Sequence, residues 1–285
     1  MRLRIRHETI YRYARPVLFL EHRLLLSPRP RHDITVLSTR LSIAPGAMLD
    51  WREDVLDNLV ATATFDAAAA SLSILAEHEV EHRAAAYPLF RIAPAAHRYP
   101  FSYSPEDEAL LAPGLMAPGQ QTGDPVEAWT DSFLATAPRD TLQLLNALNA
   151  AIGGAIAYRV REEEGTQSPS RTLALASGSC RDIAALFVAV ARRLGFAVRA
   201  VSGYLFDPGM AAGDVGATHA WAEIFLPEAG WVAFDPTQQR IGSAGLVATA
   251  CGVDSASIVP IIGGFLGDRS DFLEMHADVT VVRCP

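Results

Sequence analysis

With 285 residues, half of them hydrophobic and a fifth charged, the chain has the composition of a folded globular protein and not of a disordered or fibrous one. Its 32 acidic against 24 basic groups leave a formal net charge of −8, so there is no uniform positive field to hold a phosphate backbone and no nucleic acid partner is expected. A single core stops growing near about 250 to 300 residues, which favours two modest domains over one.

The chain opens on strict alternation. Leu3, Ile5, His7, Thr9 and Tyr11 interleave with Arg2, Arg4, Arg6 and Glu8, the period of a half-buried strand with its arginines on the solvated face. Apolar runs before residue 20 go no further than Val17-Leu18-Phe19-Leu20, too short for a signal-peptide core. Nor does any stretch reach the ~18 apolar residues of a membrane span, so no membrane partner is expected and the cytoplasm is the expected location. Alternation returns over Ile34 to Ile43, Leu59 to Phe65 and Leu72 to His82, with turn signals at Pro28, Pro30, Pro45-Gly46 and Asp57-Asn58. Residues 1–90 therefore read as an N-terminal antiparallel β-sandwich.

Residues 91–125 read as a connecting segment: from Pro88 to Pro125 there are seven prolines and no sustained periodicity. Residues 126–285 form the second domain. Helices are expected over Val126 to Ala135 and from Arg139 to about Ile152, the latter with an apolar stripe of Leu142, Leu144, Leu145, Leu148 and Ile152 and a stop at Gly153-Gly154. The strongest helix signal runs from Ser179 to Leu194. Ser179 with Asp182 approximates a capping box, Arg192 and Arg193 suit the negative end of the dipole, and Gly195 stands at the C-cap. Strands follow over Ala197 to Leu205, His219 to Leu226 and Trp231 to Asp235, and Asp278 to Val282 closes the sheet.

That helix puts Cys180 in its first turn, where unpaired N–H groups and the positive dipole end favour a thiolate, the attacking form of the side chain. On the strand from His219, His219, Trp221 and Glu223 share a face, as do Trp231, Ala233 and Asp235 on the next. A suitable hairpin register would make His219 and Asp235 neighbours, the carboxylate fixing the imidazole tautomer while the other ring nitrogen faces the sulfur. Each residue alone has a structural reading, as core thiol, buried histidine or turn-forming Asp-Pro; the order Cys, His, Asp points to catalysis. Cys251 and Cys284 precede no capped helix. The three thiols show no C-x-x-C spacing and cannot all pair, so they are expected reduced, with neither a disulfide framework nor a structural zinc site.

In Gly178-Ser179-Cys180-Arg181-Asp182, Arg199 to Tyr204, Thr218-His219-Ala220-Trp221-Ala222-Glu223 and Trp231 to Thr237, the sequence resembles the bacterial branch of the transglutaminase-like superfamily. His7 to Tyr13, Leu25 to Pro28 and Asp54 to Val60 resemble the β-rich domain that precedes many bacterial members. The resemblance implies an α+β fold, the sandwich followed by a papain-like, transglutaminase-like core in which the Cys180 helix packs on an antiparallel sheet. It implies Cys180 as nucleophile, His219 as general base and acid, and Asp235 as orienter, with no cofactor and with a peptide or protein as substrate. Acyl transfer would pass through a cysteinyl thioester that water or an amine resolves; water is abundant and aminolysis needs a shielded amine site, which favours hydrolysis. Where the family often has a Gly-Asn turn this chain has Asp57-Asn58, tolerable because Asp also visits positive φ.

Two rivals remain. His78-Glu79-Val80-Glu81-His82 fits the H-E-x-x-H pattern of zinc hydrolases, which needs a helix, whereas Leu72, Ile74, Ala76, His78, Val80 and His82 alternate as on a strand. Alternatively the fold is a non-enzymatic peptide-binding or assembly module in which Cys180 is merely buried.

Overall fold

The computed structural model describes residues 1–85, 90–116, 123–161, 163–209 and 218–284. Strands β1 (Arg2–Phe19), β2 (His22–Leu24), β3 (Ile34–Ala44), β4 (Met48–Glu53), β5 (Leu59–Thr64) and β6 (Ala68–His82) form the N-terminal half. The alternation that marks β1 and β6 is realised in their burial: Leu3, Ile5, Leu72, Ile74, Ala76 and Val80 are enclosed while the arginines and glutamates between them face water. Asp57 adopts φ 59°, as the Asp57-Asn58 turn requires.

Part of the connecting segment is helical. Helix α1 (Pro105–Leu115) begins at Ser104, whose hydroxyl accepts from the Asp107 N–H at 3.1 Å, and Pro105 stands in the first turn, where a missing N–H costs nothing. Residues 86–89 and 117–122 of that segment lie outside the described residues. Helices α2 (Pro125–Thr136) and α3 (Thr141–Ala155) follow, capped by Asp124 and Asp140. Helix α3 runs through the glycines expected to stop it. A Cβ on Gly153 would stand 2.4 Å from the Pro236 carbonyl oxygen, so glycine here admits a close helix-to-turn approach.

Next come β7 (Ala157–Tyr158), α4 (Pro169–Leu175), β8 (Ser177–Gly178) and the buried helix α5 (Cys180–Arg193), with Ser179 as N-cap and Gly195 at φ 84° beyond its end. Strands β9 (Val198–Leu205), β10 (His219–Leu226), β11 (Gly230–Asp235), β12 (Arg240–Ile241) and β13 (Leu246–Gly252) make an antiparallel sheet in the order β12-β11-β10-β9-β13. Helix α5 covers one face through Ile183, Leu186, Phe187 and Val190 against Val198, Ala200, Ala222, Ile224 and Phe234.

The chain then returns to its N-terminal half. Strands β14 (Ile261–Ile262), β15 (Phe265–Leu266) and β16 (Phe272–Arg283) join β2, β1 and β1 respectively, giving sheets β15-β1-β6-β3, with β16 also on β1, and β14-β2-β5-β4. The expected Asp278 to Val282 strand is therefore present but closes the first sheet instead of the second. Half-buried Val281 and buried Val279 pack there with Leu3 and Ile5, and the long edge of β1 gains a ladder from Leu3↔Arg283 to Tyr13↔Phe272. Tyr13, Phe19, Leu24, Leu26, Ala63, Leu72 and Ile74 fill the sandwich between these two sheets.

The sandwich also covers the free face of the second sheet. Tyr204 and Val247 pack with Leu3, Ile5, Ile34 and Val80. This explains why β10 shows no inside-outside alternation, since nearly every residue from His219 to Leu226 is buried.

Candidate active site

Cys180, His219 and Asp235 come from a helix start, a strand start and a strand end that meet at one end of the second sheet. Pairing of Ala222 with Phe234 fixes the β10–β11 register and leaves Asp235 diagonal to His219. His219 Nε2 donates to Asp235 Oδ2 at 2.7 Å, and both side chains are buried. The other carboxylate oxygen accepts from the backbone N–H groups of Thr237 and Gln238 at 3.1 and 3.2 Å. Asp235 is thus clamped by its own turn, and the proton on Nε2 leaves Nδ1 for the sulfur.

Cys180 stands within hydrogen-bonding reach of the imidazole, with the thiol 3.9 Å from the Thr218 carbonyl. Burial alone would lower the His219 pKa; hydrogen bonds and charge from Asp235 and Cys180 outweigh it and push the imidazole up to about 10. Trp221, at 1% exposure, stacks against the His219 ring with centroids 6.1 Å apart. Gly203 pairs with His219 across β9, and a Cβ there would lie 2.1 Å from the Val247 carbonyl oxygen, so a side chain would force β13 away.

Several participants were not singled out from sequence. Asp182 is more than a cap: fully buried, it accepts from the Ser179 N–H and hydroxyl at 2.8 Å, from the Gln167 N–H at 2.7 Å and from Arg161 at 3.0 and 3.1 Å. Gly178 is required beside it, since a Cβ would come 2.8 Å from the Asp182 Cβ. Tyr158 pairs with Gly178, and burial together with the nearby Cys180 charge raises its phenol pKa. Glu223, at 1% exposure on the same face as His219, is held by Arg199 at 2.6 and 2.9 Å and by Arg31 from the sandwich. An acidic residue inside an otherwise apolar strand is the signal that finds it, because a buried carboxylate demands a cationic partner.

His78 and His82 do lie on a strand, β6. Four residues apart at about 3.3 Å each, they are too distant to share one ion. Both are engaged elsewhere, His78 Nδ1 with the Thr39 hydroxyl at 2.9 Å and His82 Nε2 with the Ser243 carbonyl at 3.0 Å. Among the described residues no three His, Cys, Asp or Glu gather as a metal site.

Residues 3–81 match the family described as the bacterial transglutaminase-like N-terminal region, and residues 127–236 match the transglutaminase-like superfamily. An uncharacterized protein of Mycobacterium tuberculosis is 26% identical over 298 aligned positions, covering 98% of this chain and 92% of its own. One from Mycobacterium leprae is 24% identical with 98% of both chains covered. The fold is similar to that of a Cytophaga hutchinsonii crystal structure described as a candidate cysteine protease, at TM-score 0.74 and 15% identity over 100% of this chain and 92% of that one.

Proposed function

Because the chain belongs to the transglutaminase-like superfamily, we propose that it is a thiol enzyme acting on peptide or carboxamide bonds through a cysteinyl thioester. Cys180 is the nucleophile, His219 the general base and acid, and Asp235 orients His219. The observation that carries this reading is the imidazole held at 2.7 Å by a clamped, buried carboxylate with Cys180 on its other side.

The Cys180 sulfur attacks the carbonyl carbon, forming the C–S bond as the carbonyl π pair moves to oxygen. Donors at the start of α5, including the Cys180 backbone N–H, meet the oxyanion. The imidazolium gives its proton to the departing amine as the C–N bond breaks. Water then attacks the thioester while His219 takes its proton, and the C–S bond breaks to return the thiolate. Hydrolysis, making the protein a peptidase or amidase, is favoured over amine capture because a transferase also needs a site that shields a second amine from water.

The test incubates the protein with a library of peptides and glutamine-containing proteins, with and without a primary amine, and reads products by mass spectrometry. Cleaved chains or deamidated glutamine support hydrolysis; incorporated amine turns the reading to transamidation. Each must vanish in Cys180→Ala. Activity that survives in Cys180→Ala removes Cys180 as the nucleophile; no turnover together with a Cys180 that resists iodoacetamide in the folded protein leaves a non-enzymatic peptide-binding module in its place.

A further inference from the structure

Asp182 presents a physical problem. A carboxylate in the first turn of a helix is favoured by the dipole, yet here it shares that turn with the sulfur that must become an anion, and it is fully buried. A like charge two residues away opposes the thiolate. Among the described residues the charged groups near Cys180 are His219 on β10 with Asp235 behind it on β11, Arg181 and Asp182 on α5, and Arg161 beyond β7, whose Nε also lies 3.5 Å from the exposed Glu163 carboxylate, with the Tyr158 phenol on β7. Arg181 points its guanidinium at the carbonyls of Gly165 and Glu163, at 2.8 and 2.6 Å, and away from Asp182. Arg161 does the reverse: its Nη1 sits 3.1 and 3.0 Å from both oxygens of Asp182, with the side chain 18% exposed. The rest of the carboxylate's capacity is spent on Ser179 and Gln167.

We infer that Arg161 and Asp182 act together as positioning residues for Cys180, the carboxylate fixing the first turn of α5 and the guanidinium cancelling the charge that this fixing brings beside the sulfur. The inference rests on Cys180 being the nucleophile. The device gives the site the geometric benefit of a buried acceptor, tying Ser179, Gln167 and Arg161 to one point, without its electrostatic penalty. It also makes the segment carrying Arg161 and Gln167 part of the nucleophile's setting.

The test is the rate of Cys180 alkylation by iodoacetamide against pH, read by intact mass and peptide mapping. It compares wild type, His219→Ala, Arg161→Leu, Arg161→Lys, Asp182→Asn and the double variant Arg161→Leu/Asp182→Asn, each checked for folding by thermal melting. Arg161→Leu leaves the carboxylate uncompensated, so the midpoint of the alkylation profile should move up by about one pH unit, about tenfold slower reaction below it. Arg161→Lys and the double variant should bring the midpoint back, and Asp182→Asn alone should move it down. A structural role alone would alter melting and leave the midpoints together. Should Arg161→Leu fail to fold, Asp182→Asn and the double variant carry the same comparison. Rapid, His219-dependent alkylation of wild type with unmoved midpoints in the variants overturns this inference only. An inert wild-type thiol overturns it together with the assignment of the nucleophile.

Discussion

At Asn58 the sandwich grips the second sheet through a buried side chain, and its removal has a size that can be worked out. Its Nδ2 donates to the Cys251 carbonyl at 2.8 Å and its Oδ1 accepts from the Cys251 N–H at 2.8 Å, so the amide imitates a neighbouring strand against the back of β13. Asp54 holds the amide in place, accepting from Nδ2 at 2.9 Å and from the Asn58 N–H at 3.0 Å. Asn58 is 2% exposed and Cys251 1%, so water does not replace what is lost. Asn58→Ala strands one buried donor and one buried acceptor, each costing about 1–3 kcal/mol, for a total of about 2–6 kcal/mol. Asn58→Asp should cost at least as much, because it sets a carboxylate oxygen against the Cys251 carbonyl. Urea unfolding, followed by far-UV circular dichroism and by tryptophan fluorescence, measures both variants. A loss below about 0.5 kcal/mol in Asn58→Ala would refute the argument that this amide completes the sheet.

Acid should loosen the same interface. His7, between the Tyr204 hydroxyl and Thr9, and His78, beside Tyr204, are both lowered to about 4 by burial. Each folded pKa lies below the usual 6.5, so this contribution is complete above about pH 6.5 and is lost as pH falls toward 4, by about 3 kcal/mol for each histidine; unfolding free energy against pH, flattened in His78→Gln, checks it. Gly203→Ala should cost about 1–3 kcal/mol and lower kcat, because its Cβ meets the Val247 carbonyl oxygen directly across from His219. Asp235→Asn keeps the shape but removes the charge facing His219, so kcat should fall by ~10³–10⁴-fold, measured on whichever substrate the library yields, and the melting temperature should fall as well because the buried imidazole loses the carboxylate that holds its proton.

What the sequence made legible was local or periodic. Ser179 and Gly195 bracket α5 with their own backbone chemistry, and alternation around His219 and Trp231 places the imidazole and Asp235 on facing strands. Helix α1 was available as well, in Ser104-Pro105-Glu106-Asp107-Glu108, a capped start with proline and acids in the first turn. Reading its prolines only as breakers hides it. Contacts across long separations leave no such mark. The pairing of Arg161 with Asp182 depends on the path of an irregular segment, and that of β16 with β1 on a free edge far away in sequence. The hidden face of the second sheet is of the same kind: Glu223 declares a need for cations, but nothing near it in the chain names Arg31 as one of them.

The ladder between β1 and β16 makes two segments far apart in the chain into a clasp. Leu3 lies against Arg283, and the Cys284 N–H donates to the Arg2 carbonyl at 2.9 Å. On a ribosome the edge of β1 that β16 covers must wait, unpaired, until residue 283 has been made, a long exposure for a strand so apt to find other partners. Once fastened, the same clasp means that a protease cutting the surface connection between sandwich and core would produce two fragments that stay together, the later one still holding three strands of the sandwich.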